Sequence, residues 1–144
     1  MINTFLDSGA MPALERLVQF TSQRHKTLVN NIANLSTPYY KPTDLSPQSF
    51  QESLRRAIDE RRNAADRSLA PLRMQDTDEL SFEQNRTVAK PRPSNDGVLY
   101  HDQNNRDLER TMQRLAENTL AHNAGIELIR SEFRTMEMAL RERI

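Results

Sequence analysis

The apolar residues at the two ends of the chain keep a fixed 3-4 spacing, and nothing else in the sequence constrains the fold as tightly. Near the amino terminus Met11, Leu14, Val18, Thr21, His25, Leu28, Ile32 and Leu35 follow at intervals of 3, 4, 3, 4, 3, 4 and 3. Near the carboxy terminus Leu108, Met112, Leu115, Thr119, His122, Ile126, Ile129, Phe133, Met136 and Leu140 keep the spacing without a slip. This is the heptad period, which holds one narrow stripe of a helix against a partner helix. It predicts helices over residues 11–36 and 105–142. Pro12 suits a first helical turn, and Pro38 drives Thr37 out of helical dihedrals, so the first helix should stop near Leu35 or Ser36. Asn104 or Asn105 reads as the N-cap of the last helix. Asp107 and Glu109 in its first turn and Arg141 and Arg143 in its last complement the macrodipole.

Each stripe is interrupted by a threonine and a histidine. If the helices run antiparallel with Leu35 opposite Leu108, then Thr21 faces His122 and His25 faces Thr119, while Val18 faces Ile126 and Leu28 faces Leu115. A slip of one heptad would set these polar groups against leucine or isoleucine and leave them without partners. The polar layers are therefore expected to fix the register. Two histidines without a third ligand make a poor metal site, so register rather than coordination is their expected role. Gly125 costs the last helix about 1 kcal/mol relative to alanine, and reads either as tolerated drift or as a point of close approach.

Other apolar residues lie off the stripes: Leu17, Phe20 and Val29 on the first helix, Leu120, Leu128 and Met138 on the last. A helix pair cannot bury these too, so they are expected to be subunit contacts, covered by other chains. The middle of the chain is rich in Pro, Ser, Asp, Asn, Gln and Arg, and looks poorly equipped to fold back over them. Ser46 as N-cap and Pro47 at the first helical position predict one helix there, to about Asn63, with Phe50, Leu54, Ala57 and Ile58 on one face. LSFEQNRTVAK suggests a short strand, and PRPSNDG irregular chain.

The expected fold is thus mainly α: a long antiparallel coiled-coil hairpin of the N- and C-terminal helices. A small, poorly regular middle subdomain at 37–104 would contain one short helix at about 47–63. Residues 1–10 are expected to form a disordered amino terminus.

Composition closes off several functions. Twenty basic residues balance twenty acidic ones, so no overall field steers the chain to nucleic acid. Three scattered glycines cannot cradle a phosphate, no serine sits in a nucleophile elbow, and Asp76, Asp78 and Glu79 read as a solvated loop. No window approaches the roughly 20 apolar residues of a membrane span. No catalytic residue, cofactor or metal is expected. A non-enzymatic assembly subunit is the resulting reading, with a free-standing helical adaptor or export chaperone that grips a partner helix as the competitor.

Two stretches carry a family resemblance. VNNIANLSTPYYK resembles the amino-terminal signature of bacterial flagellar axial proteins, in which a helix ending in NNxAN passes into N-T-P-G-Y-K. The matching positions are Asn30, Asn31, Ala33, Asn34, Thr37, Pro38, Tyr40 and Lys41. NNRDLERTMQRLAENTLAHNAGIELIRSEF resembles the N-x-V-D-L-(D/E)-x-E-M opening and long terminal helix of the proximal rod proteins, the FlgB family. Together they cover roughly residues 10–50 and 95–140. The family's glycine is here Tyr39, its valine Arg106 and its later glutamate Thr111; tyrosine predicts an extended or ordinary turn at 39 rather than positive φ. The resemblance implies a rod subunit of the flagellar basal body, exported by the flagellar type III system without a cleaved signal and assembled in the periplasm. The partners it implies are other copies, other rod proteins, the adaptor joining rod to MS ring, and the export gate.

Overall fold

The computed structural model describes residues 9–64, 70–83, 86–93 and 108–141. Among these, α1 spans Met11–Ala33, β1 Thr43–Asp44, α2 Pro47–Asn63, β2 Leu80–Phe82, β3 Thr87–Ala89, β4 Arg92–Pro93 and α3 Leu108–Arg141. The fold is mainly helical, and the N- and C-terminal helices pack against each other. Thr21 meets His122 and Val18 meets Gly125, so the two run in opposite directions. The expected caps at Asn104 or Asn105 and residues 1–8 lie outside the described residues.

α1 ends at Ala33, short of the expected residue 36. The cause is local. The Asn34 side-chain amide donates to the Asn30 carbonyl at 2.9 Å alongside its own backbone N–H at 3.1 Å, and Leu35 N–H then bonds Ile32 in a tighter turn. Asparagine side chains compete in this way with the helix ladder. By contrast α2 begins at Pro47, with the Ser46 hydroxyl accepting the Ser49 N–H at 3.2 Å. Glu79 adds an acceptor there, its carboxylate taking the Ser46 N–H at 2.8 Å.

Between the long helices the chain builds two small antiparallel pairings. β1 pairs with β4, Thr43 opposite Pro93 and Asp44 opposite Arg92; β2 and β3 form a hairpin with Ser81 opposite Val88. Asp76 anchors the hairpin, accepting the Phe82 N–H at 2.7 Å and the Ser81 hydroxyl at 3.0 Å. Those two bonds hold its carboxyl below the usual carboxylate range. The expected solvated loop is thus put to structural use: Asp78 pairs with Arg92 at 2.9 Å.

The middle of the chain does fold back on α1, contrary to the expectation from its composition. Phe20 is buried with Leu45, Phe50 and Leu80, and Leu17, Leu54, Met74, Phe82 and Ala89 pack around this cluster. Phe20 and Phe50 stack with ring centroids 4.2 Å apart and planes 4° from parallel. Polar bonds extend the cover: Arg16 donates to the Glu83 carbonyl at 2.8 Å, and Thr87 to the Gln19 side chain at 3.0 Å. Burial lowers the Arg16 pKa from its ordinary value. Few apolar residues suffice because each of the largest comes from a different element and all meet at one point. Phe20→Ala should therefore lower the unfolding free energy by about 3–5 kcal/mol, the usual cost of emptying a buried aromatic site, read from urea denaturation by circular dichroism.

Candidate functional site

The corner after α1 is built from the NNIANLSTPYYK residues. Asn31 is buried, and its side-chain amide pairs with both backbone groups of Thr43: Nδ2 donates to the carbonyl at 2.6 Å and Oδ1 accepts the N–H at 3.1 Å. It acts as a neighbouring strand residue would. Tyr40 closes the clasp, donating its hydroxyl to Asn31 at 3.0 Å and accepting from Asn30 at 3.1 Å. Partial burial raises the Tyr40 pKa, while the bond from Asn30 pulls the other way. Thr37 bonds Asn34 at 3.4 Å, whereas Ala33, Pro38 and Lys41 are exposed.

Tyr39 overturns the expectation of an ordinary turn: its φ is 61°. The Tyr40 N–H donates to the Thr37 carbonyl at 3.3 Å across Pro38 and Tyr39. Proline followed by a positive-φ residue is the type II pattern, which favours glycine at the second position. Tyr40 must turn back to reach Asn30 and Asn31 within a few residues of the helix end, and a left-handed residue at 39 supplies that reversal. The ring itself is 77% exposed.

A second polar layer lies between α1 and α3. The Thr21 hydroxyl shares a hydrogen bond with Nδ1 of His122, 2.8 Å away, and lies 2.9 Å from the Leu17 carbonyl. Buried Asn118 donates to the Thr21 carbonyl at 2.8 Å. The expected His25–Thr119 pair is absent: His25 is exposed, and the Thr119 hydroxyl donates to Leu115 in its own helix at 2.8 Å. On α1 the buried positions are Arg24 and Asn31 rather than their neighbours His25 and Ile32; on α3 they are Asn118 and Gly125 rather than Thr119 and Ile126. Both helices are turned by about one residue from the heptad stripe. The turn seats Gly125 under α1, where an added Cβ would lie 3.0 Å from a Val18 methyl, and it brings Arg24 to Asp44.

Arg24 is buried and grips Asp44 through two bonds, Nε to Oδ1 at 3.0 Å and Nη2 to Oδ2 at 2.9 Å. Arg114 of α3 approaches the same carboxylate at 3.7 Å. Sequence reading missed this joint, since an arginine one position off an apolar stripe carries no local mark of burial.

The rotation also decides which stripe residues are covered. Thr21 and Leu28 are buried; Leu14, Val18, Ile32, Leu35, Leu115, Thr119, His122, Ile126, Ile129 and Met136 are partly so. Leu108, Met112, Phe133 and Leu140 are exposed. Of the six off-stripe residues expected to meet other chains, Phe20 and Leu17 are taken by the intrachain core, which corrects that expectation for them. Val29, Leu120, Leu128 and Met138 are exposed, at 44%, 71%, 52% and 58%. Among the described residues no cluster of His, Asp or Glu could hold a metal ion, and no helix is long and apolar enough to cross a membrane.

A pinned corner, a helix pair joined by a polar layer and an apolar strip left open on a long helix fit a structural protein. No family model matches the chain. It is 28% identical over 137 residues to the flagellar basal body rod protein FlgB of Bacillus subtilis (strain 168), a match spanning 94% of this chain and 95% of that one. With the flagellar basal body rod protein FlgB of Aquifex aeolicus (strain VF5) the identity is 26% over 129 residues, 90% of each chain. These two relatives, aligned nearly end to end, support its assignment to the FlgB family of flagellar basal-body rod proteins.

Two substitutions test the corner. Tyr39→Gly should raise the unfolding free energy by about 1 kcal/mol by relieving the left-handed backbone. Asn31→Ala should lower it by about 1–3 kcal/mol, because the partly buried backbone groups of Thr43 then lose their side-chain partner. Urea titrations of the two variants against the parent chain check both signs.

Proposed function

We propose that this chain is a structural subunit of the flagellar basal-body rod, polymerising through its terminal helices in the proximal rod that carries torque from motor to hook. In this reading α1 and α3 form the coiled-coil hairpin and the segment between them is the middle subdomain, turned outward by the Asn31 corner. The observation that carries the reading is the open strip on α3. Leu120, Leu128 and Met138 are exposed together with Ala124, Ser131 and Thr135, which continue a near 3-4 spacing along the back of the helix. Small residues between larger apolar ones let another helix approach closely. Exposure of such a strip costs solubility in a solitary chain and is useful in a chain that packs lengthwise against others. The partners in this reading are other copies of the chain, other rod proteins, the rod-to-MS-ring adaptor and the export gate. The site of assembly in this reading is the periplasmic rod.

Leu120→Asp combined with Leu128→Asp should leave the helix content and urea midpoint of the isolated chain unchanged while abolishing concentration-dependent association in light scattering. In a flagellated host lacking the parent chain, the same variant should fail to restore motility. Full motility with the double aspartate, or a parent chain that stays monomeric at all concentrations and with rod proteins present, would favour the free-standing adaptor.

A further inference from the structure

Tyr39 is held in a conformation from which the fold gains nothing through its side chain. At φ 61° any residue with a Cβ is strained and glycine would be relaxed, yet the ring kept there is 77% exposed. Strain retained beneath an exposed aromatic ring points to a contact outside the chain.

The ring stands beside a surface of related character. Lys26, Val29, Asn30 and Ala33 are exposed at i, i+3, i+4 and i+7 of α1, and the bond from Asn30 to the Tyr40 hydroxyl folds the turn at 38 and 39 back toward them. Residues 16–43 contain Arg16, Arg24, Lys26 and Lys41 and no acidic residue. Arg16 and Arg24 are taken up inside the fold by the Glu83 carbonyl and Asp44, whereas Lys26 and Lys41 are exposed. The corner is thus an aromatic and apolar patch with a basic rim.

Its complement lies on α3. Between 115 and 129 that helix carries Glu117 and Glu127 and no lysine or arginine. Glu117, Leu120, Ala124 and Glu127 are exposed at i, i+3, i+7 and i+10, with Leu128 beside them. Glu127 also meets Arg130 of its own helix, an exposed pair of the kind that contributes little. The corner cannot reach this surface within one chain. The pairings of Thr21 with His122 and Val18 with Gly125 set Ala33 opposite about residue 110, so Leu120 and Leu128 lie about 15 and 27 Å further along α3.

We propose that the corner of one chain, through Val29 and Tyr39 with Lys26 and Lys41, docks on the 120–128 stretch of α3 in a second copy. The lysines meet Glu117 and Glu127, and the tyrosine ring lies on Leu120, Ala124 and Leu128. The contact rests on the assembly through α3 proposed above and names its partner. Two different patches meet in it, so each added copy leaves one of each open and addition can repeat along a line or a ring. Tyr39 is then kept in place of glycine for association rather than for the stability of the free chain.

Light scattering and urea denaturation of Tyr39→Gly and Tyr39→Phe, beside the parent chain, test the contact. Tyr39→Gly should raise the urea midpoint and yet weaken self-association roughly tenfold or more, the scale of an aromatic anchor lost from an interface, while Tyr39→Phe should keep it within about threefold. Unchanged association of Tyr39→Gly would overturn the docking and leave assembly through α3 standing. A parent chain that stays monomeric would overturn both. Because the chain has no cysteine, Tyr39→Cys and Ala124→Cys chains can be mixed, and disulfides joining the two variants should form faster than those joining either to itself. Faster pairing of Ala124→Cys with itself would make the α3 strip its own partner and overturn the docking of the corner.

Discussion

The buried pair of Arg24 and Asp44 is the joint on which the arrangement depends. Arg24 belongs to α1, Asp44 to β1, and Arg114 of α3 reaches the same carboxylate. The Asp44 Oδ1 atom also accepts the Leu45 N–H at 2.7 Å, just before Leu45 enters the core. A guanidinium buried on a helix face needs its charge matched and hydrogen bonds for its donors, and the two-bond grip supplies the opposite charge and occupies two of the five N–H groups. The pair therefore does more to specify where β1 sits than to stabilise it. With β1 placed, β4 follows by pairing and Phe50 arrives over Phe20.

This joint explains why the helix pair departs from its heptad stripe. A pure two-helix seam would seat His25 and Ile32 of α1 against α3. Here α1 serves two neighbours, α3 on one side and the intervening segment on the other. Its buried face is turned by one residue so that Arg24 and Asn31 can reach Asp44 and Thr43. α3 answers with Asn118 and Gly125, the residues that permit the closest approach. The apolar positions displaced by the turn, such as Met112, are left at the margin.

The corner and the open face of α3 then divide the labour. Asn30, Asn31 and Tyr40 hold the exit from α1 so firmly that a tyrosine is kept at positive φ beside them. The described part of the intervening segment is fixed on one flank of α1, and Leu120, Leu128 and Met138 on the back of α3 are exposed. For an assembling subunit this is a consistent design: irregular chain is tied down by hydrogen bonds and one aromatic stack, and the regular helix is kept available.

The helices were legible because their signals are local. Heptad spacing, Pro12, Pro38 and the Ser46–Pro47 start act through backbone dihedrals and capping within a turn of where they stand. The opposite directions of α1 and α3, and the meeting of Thr21 with His122, were legible because polar breaks in two stripes match in only one alignment. The burial of Arg24, the cover over Phe20 and the left-handed Tyr39 were not. Each depends on a residue far away in sequence or on a reversal demanded by a distant bond: Asp44 for Arg24, Leu80 for Phe20, Asn31 for the turn at Tyr39. By itself the sequence determined which segments are helical and which residues could pair across them. Only the tertiary structure decided which face of each helix is buried, because that is settled by competition among all neighbours for the same side of α1.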